Sequence, residues 1–203
     1  MNKTVGTIKI LRNVKVYGEP STFAVREYTE EDIPYFKEYF DLWKIQREHE
    51  LFLDDRASNL NAGFTEGLFC IWNKSVRFVK QKTAKSHGFK YTQKLEDSSF
   101  DTYKIETEDC EQLKTSIGYG PSSFGPKSKQ DKLYFMHFYN DGNIDGTFDI
   151  YEIPNNVLYS TYVNKNETFK QQQVQKRRPH LSLMEKVIYP NNIEQLAKNV
   201  KLW

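Results

Sequence analysis

Residues 98–116 constrain this chain most. Ser98-Ser99-Phe100-Asp101 ends an apolar patch on a carboxylate, and after a short polar turn Glu111-Gln112-Leu113-Lys114-Thr115-Ser116 carries a lysine on the next patch. Side chains on a strand alternate between faces. Gln112 and Lys114 therefore share one face, and Glu111 and Leu113 share the other. If a strand at 99–105 pairs with one at 110–117, Asp101 stands beside Gln112 and Lys114.

The segments around this hairpin mix helical and strand periods. Val5, Ile8, Ile10, Val14 and Val16 alternate loosely and suit a strand or an extended arm. Thr29-Glu30-Glu31-Asp32 reads as a helix start, with a cap candidate followed by acids in the first turn. Ile33, Phe36, Phe40, Trp43 and Arg47 continue it at helical spacing and predict a helix over roughly 30–52. Thr65 is the expected cap of a second, largely buried helix through Leu68, Phe69, Ile71 and Trp72, with Glu66 in its first turn. Val76-Arg77-Phe78-Val79 reads as a strand and 80–97 as a charged loop. Leu133–Tyr139 and Gly146–Ile153 read as strands, the first closed by Asn140-Asp141-Gly142-Asn143 and the second by Pro154. A short helix is expected from Asn155-Asn156, a last strand over Leu181–Ile188 and a closing helix over 191–201. The order implies an α/β fold with a mixed sheet. The expected organisation is a single domain over 1–203, with 1–55 as a candidate N-terminal helical or arm extension.

Length and composition are compatible with that fold. A chain of 203 residues with 38% hydrophobic and 15% aromatic residues can bury a substantial core. The 29 basic and 27 acidic residues nearly cancel, so overall charge argues neither for nor against nucleic acid. No apolar run approaches a membrane span, and Met1–Gly6 lacks the apolar core of a secretory signal. Cys70 and Cys110 are too few for a disulfide framework or a structural zinc site. These features predict a cytoplasmic, reducing environment. There is no Walker loop, GxGxxG or GxSxG elbow. His137 with Asn140 lacks the paired histidines of a His-Asn metal nuclease, and Ile117-Gly118-Tyr119-Gly120 lacks the second strand motif of the GIY-YIG nucleases.

The hairpin residues suit a hard metal ion. Magnesium takes oxygen ligands, often one or two carboxylates completed by water and phosphate. Asp101 offers a carboxylate, Gln112 an amide oxygen, and Glu66 a second carboxylate. Lys114 is the candidate to hold an attacking water or stabilise a charged phosphoryl transition state. The bland alternatives are a cross-strand Asp101–Lys114 ion pair, a helix-stabilising Glu66 and a surface Gln112.

This arrangement resembles the PD-(D/E)XK nuclease superfamily. Phe100-Asp101 matches the first acid, Gln112-Leu113-Lys114 the acid-x-lysine step, and Glu66 a glutamate on the preceding helix. Phe100 replaces the proline, and Gln112 replaces the second acid; Glu111 is a fallback acid only if a bulge turns it. The wider order is Glu66-Gly67-Leu68-Phe69-Cys70, Ser99-Phe100-Asp101, Gln112-Leu113-Lys114, Ser123-Phe124-Gly125-Pro126-Lys127-Ser128, Leu133-Tyr134-Phe135, Asp145–Tyr151 and Arg177-Arg178-Pro179. It is similar to a small family of type II restriction endonucleases that cut GCNGC, over about residues 60–185. The resemblance implies a restriction-endonuclease-like mixed central sheet flanked by helices. It also implies Mg²⁺, with Mn²⁺ as a substitute, and hydrolysis of double-stranded DNA to a 3′-hydroxyl and a 5′-phosphate. A homodimer on a palindromic site and a cognate methyltransferase in a prokaryotic cytoplasm belong to the same expectation. Lys127 and Lys129 in the 118–131 loop are candidate phosphate contacts. Gln172, Gln173, Lys176, Arg177 and Arg178 are candidate base or backbone contacts, with a solvated polar face as the alternative for both groups. Asp149, in an apolar strand, is either structural or a base contact. A non-catalytic DNA-binding module on a decayed nuclease scaffold, or an interaction protein without nucleic acid, would each carry the same sequence.

Overall fold

A computed structural model describes residues 5–53, 57–91, 100–118, 120–138 and 144–203. An eight-stranded mixed sheet forms the frame, with helices on its faces. It begins with a hairpin, β1 (Thr7–Val16) and β2 (Glu19–Glu27). The turn uses Tyr17 and Gly18, both at positive φ (52° and 88°), the conformation that matches the twist of the two strands. β2 continues to β3 (Val76–Val79), β4 (Thr102–Lys104) and β5 (Asp109–Ser116), all antiparallel. β5 then pairs in parallel with β7 (Lys132–His137), which leads antiparallel to β8 (Phe148–Glu152) and β10 (Ala197–Val200). β6 (Ser122–Ser123) and β9 (His180–Leu181) make a small second sheet.

Strand alternation divides the core. Leu113, Tyr134, Met136, Phe148 and Ile150 face α1 (Ile33–Phe52) and α2 (Ala62–Asn73). Leu133, Phe135, Tyr151 and Ile153 face the opposite layer of α4 (Asn155–Ser160), α5 (Phe169–Val174) and a π-helical turn at Met184–Ile188. Gly67 is required where the two long helices cross, because a Cβ there would run into the Phe36 ring.

Several expectations are corrected. The 19–27 strand gave no clear sequence pattern, yet it joins the N-terminal hairpin to the central sheet through Ala24, Val25 and Arg26. α2 starts at Ala62, not Thr65; Asn61 is the cap, its side chain accepting from Gly63 N–H at 2.7 Å. The loop after β3 contains α3 (Gln81–Ser86), anchored by buried Ala84. Of the expected last strand over Leu181–Ile188 only Leu181 pairs, in β9 together with His180. Leu183, Met184, Val187 and Ile188 follow a helical spacing and bury one side of a turn. The closing helix is instead β10, because the open edge of β8 takes up Ala197 and Val200 opposite Ile150 and Phe148. Ser98, Ser99 and the 140–143 turn lie outside the described residues. No described helix is long and apolar enough to cross a membrane.

Candidate active site

The expected hairpin forms, with Thr102 opposite Glu111, Tyr103 opposite Cys110 and Lys104 opposite Asp109. Asp101 sits one residue before Thr102, the first residue of β4, where the chain enters the ladder. Its backbone stays attached to both neighbours: its N–H donates to Glu111 C=O at 3.0 Å and its C=O accepts from Phe78 N–H at 2.9 Å. Its carboxylate caps the exposed ladder position by accepting from Leu113 N–H at 2.9 Å. The side chain is therefore fixed by backbone on two strands.

Alternation places Gln112 and Lys114 on the side of Asp101. Gln112 is 6% exposed; its Nε2 donates to Asp101 Oδ2 and its Oε1 accepts from Ser128 Oγ at 3.4 Å. The Lys114 ammonium lies 5.0 Å above the ring centre of buried Phe124. Burial lowers the Lys114 pKa, while the Asp101 and Glu66 charges oppose that shift. Burial raises the Asp101 pKa against the pull of Lys114, Leu113 N–H and Arg77.

Glu66 also reaches this cluster, from the second turn of α2 rather than the first. Helix-dipole stabilisation, which fades beyond the first turn, does not account for its position. Burial first, then the Asp101 charge, raises its pKa to about 7, in spite of an ion pair with Arg77. Two carboxylates with raised proton affinity, beside a buried lysine, mark a site where desolvation and charge are concentrated.

Glu111 points away, as alternation requires. It is 1% exposed and accepts from Asn73 Nδ2 at 2.7 Å and Thr102 Oγ1 at 2.8 Å. No bulge turns it toward Lys114, so it is a structural acid of the opposite layer.

A cleft of about 520 Å³ opens at Asp101, Gln112 and Lys114, and Lys80, Lys127 and Arg178 reach its wall. The other expected DNA contacts are arranged differently. Gln172 and Gln173 are buried, not displayed. Gln172 Nε2 donates to Glu167 at 3.3 Å, and Gln173 Nε2 donates to the carbonyls of Ser128 and Gly125 at 3.3 and 3.5 Å. Gln173 thus ties α5 to the cleft loop, and Gln172 is held to Glu167 just ahead of the helix. Arg177 pairs with Glu167, Lys129 lies 4.3 Å over the Tyr17 ring, and Lys176 is exposed at the end of α5. Asp149 is structural, accepting from Asn199 N–H at 2.8 Å and Gln195 Nε2 at 3.3 Å.

Arg26, Arg77 and Lys80 were not singled out in the sequence. The available signal was Arg77 itself, a guanidinium inside a four-residue apolar strand.

A mixed α/β sheet that carries an amide and a lysine on β5 and a carboxylate at the start of β4, with a second carboxylate from α2, is compatible with a restriction-endonuclease-like fold. The family model described as Bsp6I restriction endonuclease matches residues 28–190. The chain belongs to that family. It is 38% identical over 79 residues to the type II restriction enzyme Bsp6I of Bacillus sp. (strain RFL6), a stretch covering 38% of this chain and 44% of that relative. No solved structure matches.

Proposed function

We propose that the chain is a Mg²⁺-dependent type II restriction endonuclease of the PD-(D/E)XK superfamily, hydrolysing double-stranded DNA at a short palindrome that is GCNGC-like by resemblance. The observation that carries this reading is Asp101, Gln112 and Lys114 on one cleft, with Glu66 on an adjoining lobe that shares Asp101, in a chain of this family.

The donor set fits a hard cation. Among the described residues no group of three or more His, Cys, Asp or Glu side chains could hold a metal ion, so the protein offers two carboxylates and an amide. That suits magnesium, which binds through one or two carboxylates and completes its shell with water and phosphate oxygens. Asp101 and Glu66 would hold it, with Gln112 through Oε1 after a half-turn of its amide. Bound there, Mg²⁺ would polarise the scissile phosphate and neutralise developing charge; Mn²⁺ offers similar coordination.

The residues of the chain supply position and charge. Leu113 N–H fixes the Asp101 carboxylate. Lys114, held over Phe124, orients the attacking water and offsets negative charge on the phosphoryl oxygens. The expected products are a 3′-hydroxyl and a 5′-phosphate. A palindromic target needs two copies related by a two-fold axis, each cutting one strand. A cognate methyltransferase in the same prokaryotic cytoplasm would protect host DNA.

One observation favours a second reading, a DNA-binding module without cleavage. An amide stands where the superfamily carries an acid, and it donates to Asp101. Digestion of a sequenced, unmethylated plasmid with Mg²⁺, beside an Asp101→Ala control, decides between them. Discrete fragments from wild type alone support the nuclease, and their ends report site and stagger. An intact plasmid in Mg²⁺ and Mn²⁺, with specific duplex retention, supports the module.

A further inference from the structure

A second lobe of the cleft lies on the other side of Asp101. It is lined by Arg26, Arg77, Lys80 and Thr83 together with Glu66 and Phe100, and it shares Lys80, Phe100 and Asp101 with the lobe of Lys114. Arg26 on β2 and Arg77 on β3 stand directly opposite each other in the ladder. Like charges in that position oppose pairing. The sheet keeps two guanidinium groups side by side, with Glu66 bonded to Arg77 and the Asp101 carboxylate on the same lobe.

Their donors are not used up. An arginine has five N–H donors in a planar fork suited to phosphate. Arg77 uses Nε on Glu66 and bonds Tyr28. Arg26 gives one terminal nitrogen to the Val5 carbonyl at 2.9 Å, while its buried Nε has no hydrogen-bond partner. The Lys80 ammonium pairs with no described residue and stands at the junction of the two lobes. Three cations and an unmet buried donor around an open lobe call for an anion.

We propose that Arg26, Arg77 and Lys80 form a seat for a backbone phosphate flanking the scissile one, so that one DNA strand is held on both sides of Asp101. This rests on the nuclease reading, since the strand enters the lobe through the same cleft. The seat reads no base. It fixes the register of the strand and holds the reacting phosphate between Asp101 and Lys114. The Glu66–Arg77 bond links it to the carboxylate pair: a phosphate that draws Arg77 toward itself loosens Glu66.

The test is duplex binding by fluorescence anisotropy in EDTA, across 50–200 mM salt, with wild type and Lys80→Ala. Loss of one phosphate contact lowers the slope of log K against log salt by about 0.9 and makes binding about 3.5-fold less salt-sensitive over that range. The same duplex carrying a single neutral methylphosphonate, moved step by step along one strand, locates the contact. At one position flanking the cut, wild type should weaken, while Lys80→Ala should show no further loss, the non-additivity of two groups in contact. The Arg26→Lys variant, which keeps the charge and loses the fork, should weaken binding at that same position. Wild type that binds with a normal salt slope, but with Lys80→Ala unchanged and additive at every position, overturns the seat alone. Wild type that binds no duplex even at 50 mM salt overturns the seat and the nuclease reading together.

Discussion

Replacing Gln112 by glutamate supplies the acid that the superfamily resemblance leads one to expect, and it tests how the site carries charge. Gln112 is 6% exposed and donates through Nε2 to Asp101. The variant removes that donor and sets a third carboxylate against Asp101 and Glu66. Losing a hydrogen bond to a charged group costs roughly 1.5–3 kcal/mol. Two like charges about 4 Å apart repel by about 4 kcal/mol at an effective dielectric constant near 20, most of which the new carboxyl sheds by taking a proton. A net loss of about 3 kcal/mol at pH 8 follows, or roughly 6–12 °C in Tm for a chain of this size. The sign with pH is defined. The new carboxyl has a folded pKa above its unfolded one, so its penalty is absent below about pH 4.3 and grows as pH rises through the folded pKa. Mg²⁺ at about 100 times its Kd would return about 2.7 kcal/mol. Thermal and urea unfolding at pH 5 and pH 8, each in EDTA and in Mg²⁺, measures all of this. A variant as stable as wild type at pH 8 in EDTA would refute the placement of Gln112 among buried carboxylates. A loss of the same size at both pH values would show that packing, not charge, is responsible.

Other outcomes test the remaining parts of the site. Asp101→Ala and Lys114→Ala should each abolish plasmid cleavage while the protein stays folded by circular dichroism; full cutting by either would remove the assigned residue. Glu111→Ala should leave Asn73 and Thr102 without a buried acceptor and cost about 2–4 kcal/mol in urea unfolding, yet cleavage per folded molecule should persist. Loss of cleavage in a fully folded Glu111→Ala protein would move the catalytic acid to that face. Glu66 has a raised pKa of about 7, so its stabilising contribution is present below its unfolded value near 4.5 and fades as pH rises through 7. Wild type should therefore lose stability relative to Glu66→Gln between pH 5 and pH 8, while cleavage rises over the upper part of that window as the carboxylate ionises. A difference that is flat with pH would show that Glu66 ionises as an ordinary surface acid.

The hairpin was legible because its information is local. Alternation alone placed Gln112 and Lys114 together and turned Glu111 away, and the register of Thr102 with Glu111 then fixed Asp101. Helix α1 was equally readable from Phe36, Phe40 and Trp43, which lie buried on one side. What failed depended on partners distant in sequence. Ala197 and Val200 have a helix-compatible spacing, but the open edge of β8 decides their pairing. Gln172 and Gln173 look like solvent-facing groove readers in a basic, glutamine-rich run. The capping box of Thr168 and Gln171 winds that run into a turn whose inner side meets the 125–128 loop. The Arg26–Arg77 pair joins residues from strands separated by two helices, so no sequence window contains it.

The amide at Gln112 can be understood from the charge around it. With Glu66 and Asp101 already sharing raised proton affinity, a third acid would be neutral much of the time or would destabilise the metal-free fold. The amide instead stabilises Asp101 by donating to it, and it can present oxygen only by turning over. Both carboxylates are thus engaged before any cation arrives, Asp101 by Gln112 and Leu113 and Glu66 by Arg77. Cation binding must displace some of these bonds, so it should be weak in the free protein. A DNA phosphate seated there would attract Arg77 and offer ligand oxygens of its own, which would favour the same rearrangement. By linkage, DNA then tightens Mg²⁺ by the same factor that Mg²⁺ tightens DNA. Titration calorimetry with Mg²⁺, on the free protein and on its complex with a non-cleavable phosphorothioate duplex, measures that factor. Equal Mg²⁺ affinity in the two titrations would mean that the site is already arranged for the metal without DNA.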